Sequence, residues 1–169
     1  MKTFFSVLAM MAFSLGVAIA QEPAEENDAT GLPVPRFVSL RSNRINARSG
    51  PGARYPIEWV YMQKSAPVEI VAEFELWRKI KDWQGSESWV HKSMLAGKRF
   101  VKVMSPGENN IYAKDDYKSR IVAKVEDEVV GEIKKCPVNS SFCLIQFDTI
   151  EGWVPRQILY GIYPDEIID

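Results

Sequence analysis

The chain has 169 residues and a formal net charge of −1 at pH 7, from 21 Lys or Arg against 22 Asp or Glu. This length suits one ordinary domain or two small ones. One histidine and two cysteines supply too few ligands for the usual zinc sites, so no metal is expected.

The near-zero total hides an uneven distribution of charge. Residues 36–100 contain twelve Lys or Arg against six Asp or Glu, whereas residues 101–169 contain eight against twelve. Two compatible interpretations stay open. The halves pack against each other with complementary charge, or the basic half meets an anionic partner outside the cytoplasm.

The N-terminal segment predicts export. Lys2 is followed by an apolar run of seventeen residues that ends in Ala18-Ile19-Ala20, the small-x-small pattern that a signal peptidase accepts. The run is short for a bilayer span, which needs roughly 20 residues, although an uncleaved anchor is the alternative. We therefore predict a signal peptide at residues 1–20 and no stable membrane insertion after cleavage. The protein is expected to be periplasmic in a bacterium with two membranes, or else secreted.

A short acidic segment follows the predicted cleavage site. Residues 21–35 contain four acidic side chains, no basic ones and three prolines. Such a segment buries too little apolar surface to fold. We predict a disordered acidic leader over residues 21–36.

The remaining sequence predicts an all-β fold. Segments of four to eight residues alternate between apolar and polar side chains and are broken by Gly, Pro or Ser. In the first half, the predicted strands are 45–48, 59–62, 67–74, 76–81, 88–91 and 94–95. In the second half they are 110–113, 129–134, 143–147 and 152–159, with 100–103 as a further candidate.

The second half repeats the first at a constant offset. Trp89 and Trp153 are 64 positions apart, and so are Leu95 and Leu159. Two anchors with one offset are typical of an internal duplication. We predict two small barrels in tandem, followed by a tail, at residues 37–97, 98–162 and 163–169.

The two cysteines, Cys136 and Cys143, are closely spaced. An even pair of cysteines in an exported chain predicts a disulfide. Closing so short a loop restricts the unfolded chain by roughly 2–3 kcal/mol.

One motif opens the first predicted barrel: Asn46-x-Arg48-x-Gly50-Pro51-Gly52, then Tyr55-Pro56, with a Trp-Val pair near the end of the barrel. This combination resembles the bacterial SH3 (SH3b) family over residues 37–97 and, more weakly, over 101–160. It is similar to tandem SH3-like proteins exported by alphaproteobacteria, in which a second module with a cysteine pair is expected.

The resemblance implies a strongly bent barrel. Members of the family bind cell-wall peptides, accompany cell-wall hydrolases or have no assigned ligand. The second module departs from the motif, because Asp115-Asp116-Tyr117-Lys118 stands where the first has Ser49-Gly50-Pro51-Gly52. We do not expect this face to do the same work in both modules.

The turn at Gly50, Pro51 and Gly52 has two interpretations. Glycines on both sides of a proline, whose φ is fixed at about −65°, let the chain take positive φ angles, so a structural role is sufficient. Alternatively the loop binds a ligand, because Arg48 and Arg54 flank the glycines. Arginine pairs bidentately with carboxylates, which wall stem peptides carry.

Four of the five tryptophans lie in the first module. Trp89, which is repeated as Trp153, is predicted to be a core residue, whereas Trp77 suits either core or surface. Trp59 and Trp83 are predicted to be partly exposed, in a peptide or glycan groove or against the second module. The predicted ligand-binding residues are Arg48, Arg54, Tyr55, Trp59, Tyr61 and Trp83.

The motifs of common catalytic chemistries are missing from the sequence. His91 is the only histidine and has no candidate nucleophile to serve, and no G-x-S-x-G turn, phosphate-binding loop or dinucleotide motif occurs. The acids around Asp127 match no calcium loop. We expect a protein that is not an enzyme, needs no cofactor and, being exported, binds no nucleic acid. Two hypotheses remain: a peptidoglycan-binding module, or a scaffold that docks an envelope enzyme or membrane protein.

Overall fold

The computed structural model describes residues 30–169. The predicted signal peptide and most of the predicted leader lie outside the described residues. Within 30–169 the chain forms fourteen strands and two single-turn 3-10 helices, which confirms the predicted all-β class. No helix in this range has the length and apolarity that a membrane span requires.

Residues 36–96 form the first module, a seven-stranded antiparallel sheet with the strand order β3-β2-β6-β5-β4-β1-β7. The strands are β1 Arg36–Leu40, β2 Ile45–Arg48, β3 Ile57–Tyr61, β4 Pro67–Phe74, β5 Trp77–Lys81, β6 Glu87–His91 and β7 Leu95–Ala96. A 3-10 helix, Lys92–Met94, connects β6 to β7.

Residues 100–160 form the second module, whose seven strands follow the same order, β10-β9-β13-β12-β11-β8-β14. The strands are β8 Phe100–Val103, β9 Asn109–Tyr112, β10 Ile121–Val125, β11 Val130–Lys135, β12 Phe142–Phe147, β13 Ile150–Pro155 and β14 Leu159–Tyr160. The 3-10 helix Arg156–Ile158 connects β13 to β14.

The two modules share one unusual backbone position. Ser65 lies two residues before β4 and Glu128 lies two residues before β11, the equivalent strand of the second sheet, and their φ angles are 66° and 63°. Because this position recurs in both sheets, its left-handed backbone belongs to the shared topology. Glu75 and Asp148 both have a φ of 47°, but they lie in hairpins that are not equivalent, β4–β5 and β12–β13.

Each module has its own apolar core, built by strand alternation. Ile45 and Ala47 of β2 are fully buried while Asn46 between them is exposed, as the two-residue period of a strand requires. The first core contains Val38, Leu40, Ile45, Ala47, Tyr61, Ala66, Val68, Ile70, Ile80, Val90 and Leu95. The second contains Val101, Val103, Ile111, Val125, Ile133, Cys136, Cys143, Ile145, Phe147, Val154, Leu159 and Ile162.

Trp89 and Trp153 are half-buried and belong to neither core, so their assignment as core residues was wrong. The next residues along these strands, Val90 and Val154, are fully buried. Because successive strand residues face opposite sides of a sheet, the valines take the inner face and the tryptophans the outer one.

The predicted disulfide is confirmed: Cys136 and Cys143 are bonded to each other and fully buried. Cys136 also forms an isolated β-bridge with Ile168, whose N–H donates to the Cys136 carbonyl at 3.1 Å. The segment predicted as a tail therefore packs on the second module.

Two elements differ from the sequence-based expectation. Arg36, assigned to the leader, is the first residue of β1, and Thr30 donates its N–H to the carboxylate of Glu73 at 3.0 Å. Strand β10 at Ile121–Val125 was not predicted, yet it forms the edge of the second sheet.

Candidate functional site

Aromatic side chains from the end of the chain join the second module to the first. The Tyr160 hydroxyl donates to the carbonyl of Lys81 at 3.0 Å, and the Tyr163 hydroxyl donates to Oε1 of Glu69 at 2.8 Å. Both rings pack on Phe37 of β1, with centroid distances of 5.2 and 4.7 Å. These contacts fix how the two modules face each other.

Lys102 of β8 forms a second junction, and its side chain is only 2% exposed. Its ammonium nitrogen lies 3.8 Å from the centroid of the Trp83 ring and donates to Oε1 of Gln63 at 3.2 Å. The Glu128 carboxylate is 3.5 Å away. A buried ammonium needs such partners, because removing it from water is costly.

Beside this junction is an open groove of about 690 Å³, which we call the aromatic groove. Its floor is formed by Trp59 and Tyr61 of β3 and by Trp83 in the loop between β5 and β6. Glu128, from the turn before β11, contributes a second-module residue to the same groove. The side chains that line the rest of it include Met62, Gln63, Asp82 and Gln84.

The three rings form a continuous aromatic cluster. The centroids of Trp59 and Tyr61 are 6.3 Å apart with the ring planes at 88°, and those of Tyr61 and Trp83 are 6.1 Å apart at 56°. Edge-on and tilted contacts of this kind are favourable for aromatic pairs. Trp59 and Trp83 are half-buried, so part of each ring stays open to the groove.

A buried hydrogen-bond network holds the middle ring in place. The Tyr61 hydroxyl donates to Oδ2 of Asp82 at 3.0 Å, while Oδ1 accepts the N–H groups of Gln84 and Ser86, both at 2.9 Å. Burial raises the pKa of the Tyr61 phenol to about 12. The phenol therefore stays protonated at neutral pH and keeps donating to Asp82.

The six residues predicted to bind a ligand do not form one surface. Trp59, Tyr61 and Trp83 lie together in the aromatic groove, whereas Arg48, Arg54 and Tyr55 do not line it. The expectation that the arginines rim the aromatic floor is thus wrong. The physical reason is strand alternation: Ala47 pairs with Trp59, and Arg48, the next residue of β2, faces the opposite side of the sheet.

Arg48 and Arg54 have contacts within their own loop. Nη1 of Arg48 donates to the carbonyls of Ala53 and Tyr55, at 3.0 and 2.7 Å. The Arg54 guanidinium lies 5.3 Å from the centre of the Tyr55 ring. Arg48 therefore closes the loop that follows β2.

The glycines of this loop have a structural reason that differs from the expected one. The described glycines with positive φ are Gly31, Gly85, Gly107 and Gly161, so positive φ at Gly50 and Gly52 was a wrong expectation. A Cβ on Gly50 would instead lie 2.4 Å from Cδ1 of Tyr55, and one on Gly52 would lie 3.3 Å from Cδ2. The two glycines make room for the Tyr55 ring, which packs between them.

The aromatic groove has no counterpart in the second module. The pairing of Ile111 with Ala123 corresponds to that of Ala47 with Trp59, at the same offset of 64 residues. By the same offset, Val125 stands at the position of Tyr61. The second module thus replaces two of the three rings with small aliphatic side chains.

Two residues that the second module brings to the site were not predicted from the sequence. Lys102 and Glu128 were not singled out, because the packing of one module on the other cannot be derived from local patterns. The sequence did offer one indication. One of the two environments predicted for Trp83 was a position against the second module, and its ring contacts Lys102 of that module.

Comparisons with known proteins bear on the first module. Residues 41–97 match the family described as "Bacterial SH3 domain". The match supports a bacterial SH3 domain in the segment that contains β2 to β7, and with it the three rings of the aromatic groove. No curated protein matches the chain.

Among solved structures, the chain is similar to NlpC2 and NlpC1 from Trichomonas vaginalis, with 16% sequence identity and a TM-score of 0.34 for each. The matches cover 76% and 78% of this chain, and 49% and 47% of the two solved chains. This chain therefore spans about half the length of the structures it matches.

Proposed function

We propose that this protein is an exported, non-catalytic binding module whose first module recognises peptidoglycan, through its stem peptide, in the aromatic groove. The observation that carries the proposal is the convergence of Trp59, Tyr61 and Trp83 in one open groove within a segment that matches the bacterial SH3 domain. The protein acts in the periplasm, or outside the cell if there is no second membrane.

The groove offers two kinds of contact to such a ligand. The exposed parts of the rings supply flat apolar area at little cost in side-chain entropy. Glu128, whose side chain is 62% exposed, supplies a carboxylate at the rim. Stem peptides contain both apolar side chains and free amino groups, so a peptide lying on the rings can direct an ammonium to Glu128.

The test is co-sedimentation of the full chain with purified peptidoglycan sacculi, at low and moderate salt. We expect pelleting that Trp83→Ala weakens about thirtyfold, because an aromatic anchor that a ligand covers contributes on the order of 2 kcal/mol. Leu76→Ala is the matched control, since Leu76 is an exposed apolar side chain outside the groove. Circular dichroism of each variant checks that it folds.

The outcomes separate the proposal from its alternative. Pelleting that is lost only in Trp83→Ala supports recognition through the groove. If the chain stays in the supernatant at both salt concentrations, or if Leu76→Ala has the same effect, the peptidoglycan assignment is wrong.

A second candidate function is docking of an envelope protein, and one observation favours it. Strands β3 and β10 are the edges of their sheets, and Ile57 and Ile121 are exposed at equivalent positions on them. An open edge with an exposed β-branched residue suits strand addition by a partner. Crosslinking in the envelope should then recover a partner at fixed stoichiometry, and Ile57→Lys should abolish its capture while leaving sacculus binding unchanged.

A further inference from the structure

A second concave site of about 280 Å³ lies apart from the aromatic groove, on the outer face of the first sheet. We call it the basic cleft. It is lined by Arg44, Asn46, Arg48, Trp77, His91 and Met94. These residues come from β2 and the residue before it, from β5 and β6, and from the 3-10 helix that follows β6, so the cleft is built on the paired strands of one sheet.

Strand alternation aligns three hydrogen-bond donors along the cleft. Arg44, Asn46 and Arg48 are separated by two residues each, and the intervening Ile45 and Ala47 are fully buried. Because every second residue of a strand shares a face, the three polar side chains follow one another at intervals of about 7 Å. An extended peptide places its own alternate side chains at the same interval.

The opposite side of the cleft is formed by two rings. The centroids of Trp77 and His91 are 5.5 Å apart, with their planes at 86°. Nδ1 of His91 accepts the N–H of Ser93 at 3.3 Å and lies 2.7 Å from the Ser93 hydroxyl oxygen. These contacts hold the imidazole at the edge of the cleft.

The charges of the two concave sites differ in sign. Among residues 30–169 no Asp or Glu lines the basic cleft, whereas Asp82 and Glu128 line the aromatic groove. Several basic side chains elsewhere in the described residues have acidic partners, for example Lys98 with Glu132 and Lys102 with Glu128. In the described part of the chain, neither cleft arginine forms a salt bridge, and Arg48 uses only Nη1, for its own loop.

We propose that the basic cleft binds an extended acidic peptide, with carboxylates at alternate positions paired to Arg44 and Arg48 and an apolar portion against the Trp77 ring. Guanidinium groups bind carboxylates through charge-assisted hydrogen bonds. Asn46 donates to a ligand carbonyl between the two arginines. This site is separate from the aromatic groove. It prefers acidic ligand groups, whereas the groove, which Asp82 and Glu128 line, prefers basic ones.

The test is an NMR titration of the full chain with the blocked peptide Glu-Ser-Glu-Ser-Glu. His91 is the only histidine, so its imidazole C–H signals report on the cleft without ambiguity. We expect saturable shifts of those signals and of the Trp77 indole N–H. The matching Gln-Ser-Gln-Ser-Gln peptide should give none, and inorganic phosphate is titrated separately to detect a preference for phosphate.

Two arginine variants locate the site. Arg44→Gln should weaken binding about tenfold, the loss expected for one charge-assisted hydrogen bond to a carboxylate, and Arg44→Lys should restore part of it. Arg54→Gln removes the same charge from the loop between β2 and β3, outside the cleft, and should change the affinity less than twofold. Because Arg44 is exposed and forms no hydrogen bond through its side chain to residues 30–169, folding of its variants is expected to be unaffected.

Three results would each overturn the proposal. If Arg44→Gln and Arg54→Gln weaken peptide binding equally, the binding depends on the overall charge of the protein and not on the cleft. Equal shifts with the glutamine peptide would exclude carboxylate recognition. Saturation by phosphate with no response to the glutamate peptide would assign the cleft to a different anion. Trp83 does not line the basic cleft, so Trp83→Ala is expected to lose sacculus binding without changing peptide binding in the cleft. Each proposal can therefore be wrong without the other.

Discussion

The ammonium nitrogen of Lys102 lies 3.8 Å from the centre of the Trp83 ring, and this contact joins a strand of the second module to the aromatic groove of the first. Trp83 is in a loop, where a side chain is usually free to change rotamer. The lysine covers one face of the ring and leaves the other for the groove. The second module therefore holds Trp83 in position in the aromatic groove. Its own lining residue in that groove is Glu128.

Lys102→Met tests this positioning. The substitution keeps the apolar stem and removes the ammonium, so the cation–π contact to Trp83 and the hydrogen bond to Gln63 are lost. We expect the free energy of unfolding to fall by about 1 kcal/mol and the Trp83 indole N–H signal to broaden or move. Lys124→Met, at an exposed ion pair with Glu108, is the control. An unchanged Trp83 signal in Lys102→Met would show that the lysine does not hold the ring.

Gly50→Ala tests the role of the glycines beside Tyr55. A methyl group 2.4 Å from the ring carbon Cδ1 must displace the ring, and we expect a loss of about 2 kcal/mol in the free energy of unfolding. Gly97→Ala should cost little, because no atom lies within 4 Å of the added Cβ. In a Tyr55→Ala background the Gly50→Ala cost should largely disappear. Persistence of the full cost in that background would point to the backbone rather than the ring.

Lowering the pH should reduce the free energy of unfolding, because the Glu73 carboxylate becomes protonated. Burial raises the pKa of this carboxyl, but hydrogen bonds from Arg36 and Thr30 and the charges of Arg36 and Arg78 lower it by more, so the net shift is downward. A depressed pKa contributes stability that is present above the ordinary glutamate pKa and is lost as the pH falls through the folded value.

We therefore expect Glu73→Gln to cost about 3 kcal/mol at pH 7, since Arg78, 3% exposed, would lose its partner. The difference from the wild type should shrink as the pH falls below the ordinary glutamate pKa, measured by urea unfolding at a series of pH values. Glu108→Gln, at the exposed pair with Lys124, should have little effect at any pH. A pH-independent cost for Glu73→Gln would rule out the ionic explanation.

Opening the disulfide should destabilise the second module. Cys136 and Cys143 are seven positions apart and fully buried, so a Cys143→Ser variant, or reduction, frees a short loop. We expect a loss of about 2–3 kcal/mol, seen as a lower Tm under reducing conditions. A Tm that does not respond to a reductant able to cleave the bond would contradict this account.

The strands whose sequence alternates regularly could be predicted from it. Strands β2 and β4 have the bounds 45–48 and 67–74 that the pattern predicts. In β2 buried and exposed positions alternate, whereas β4 begins with four buried residues and was recognisable as an apolar-rich run between turn residues. Strand β1 was missed because Arg36–Leu40 does not alternate: four successive residues are buried, and the segment follows directly on the polar leader. In β10, the first four of five residues are exposed or half-buried, as at an edge.

The candidate site was predictable in its residue types but not in its geometry. Trp59, Tyr61 and Trp83 could be recognised as surface aromatics of one module. They lie apart from Arg48 because Ala47 pairs with Trp59 and Arg48, the next residue of β2, faces the other side of the sheet. Local sequence does not specify which residues of two strands pair. The basic cleft was missed for a related reason: Arg44 and His91 are 47 positions apart and meet only through the sheet.

The packing of Tyr160 and Tyr163 on Phe37 has a consequence for biosynthesis. A ribosome releases β1 long before these two tyrosines, so Phe37, 8% exposed in the folded protein, has no cover while the rest of the chain is being made. The module that is synthesised first is completed last. A chain cut before Tyr160 would leave the Phe37 ring and the Glu69 carboxylate, both buried in the folded protein, without these contacts, so a truncated copy would expose an apolar and an acidic group together.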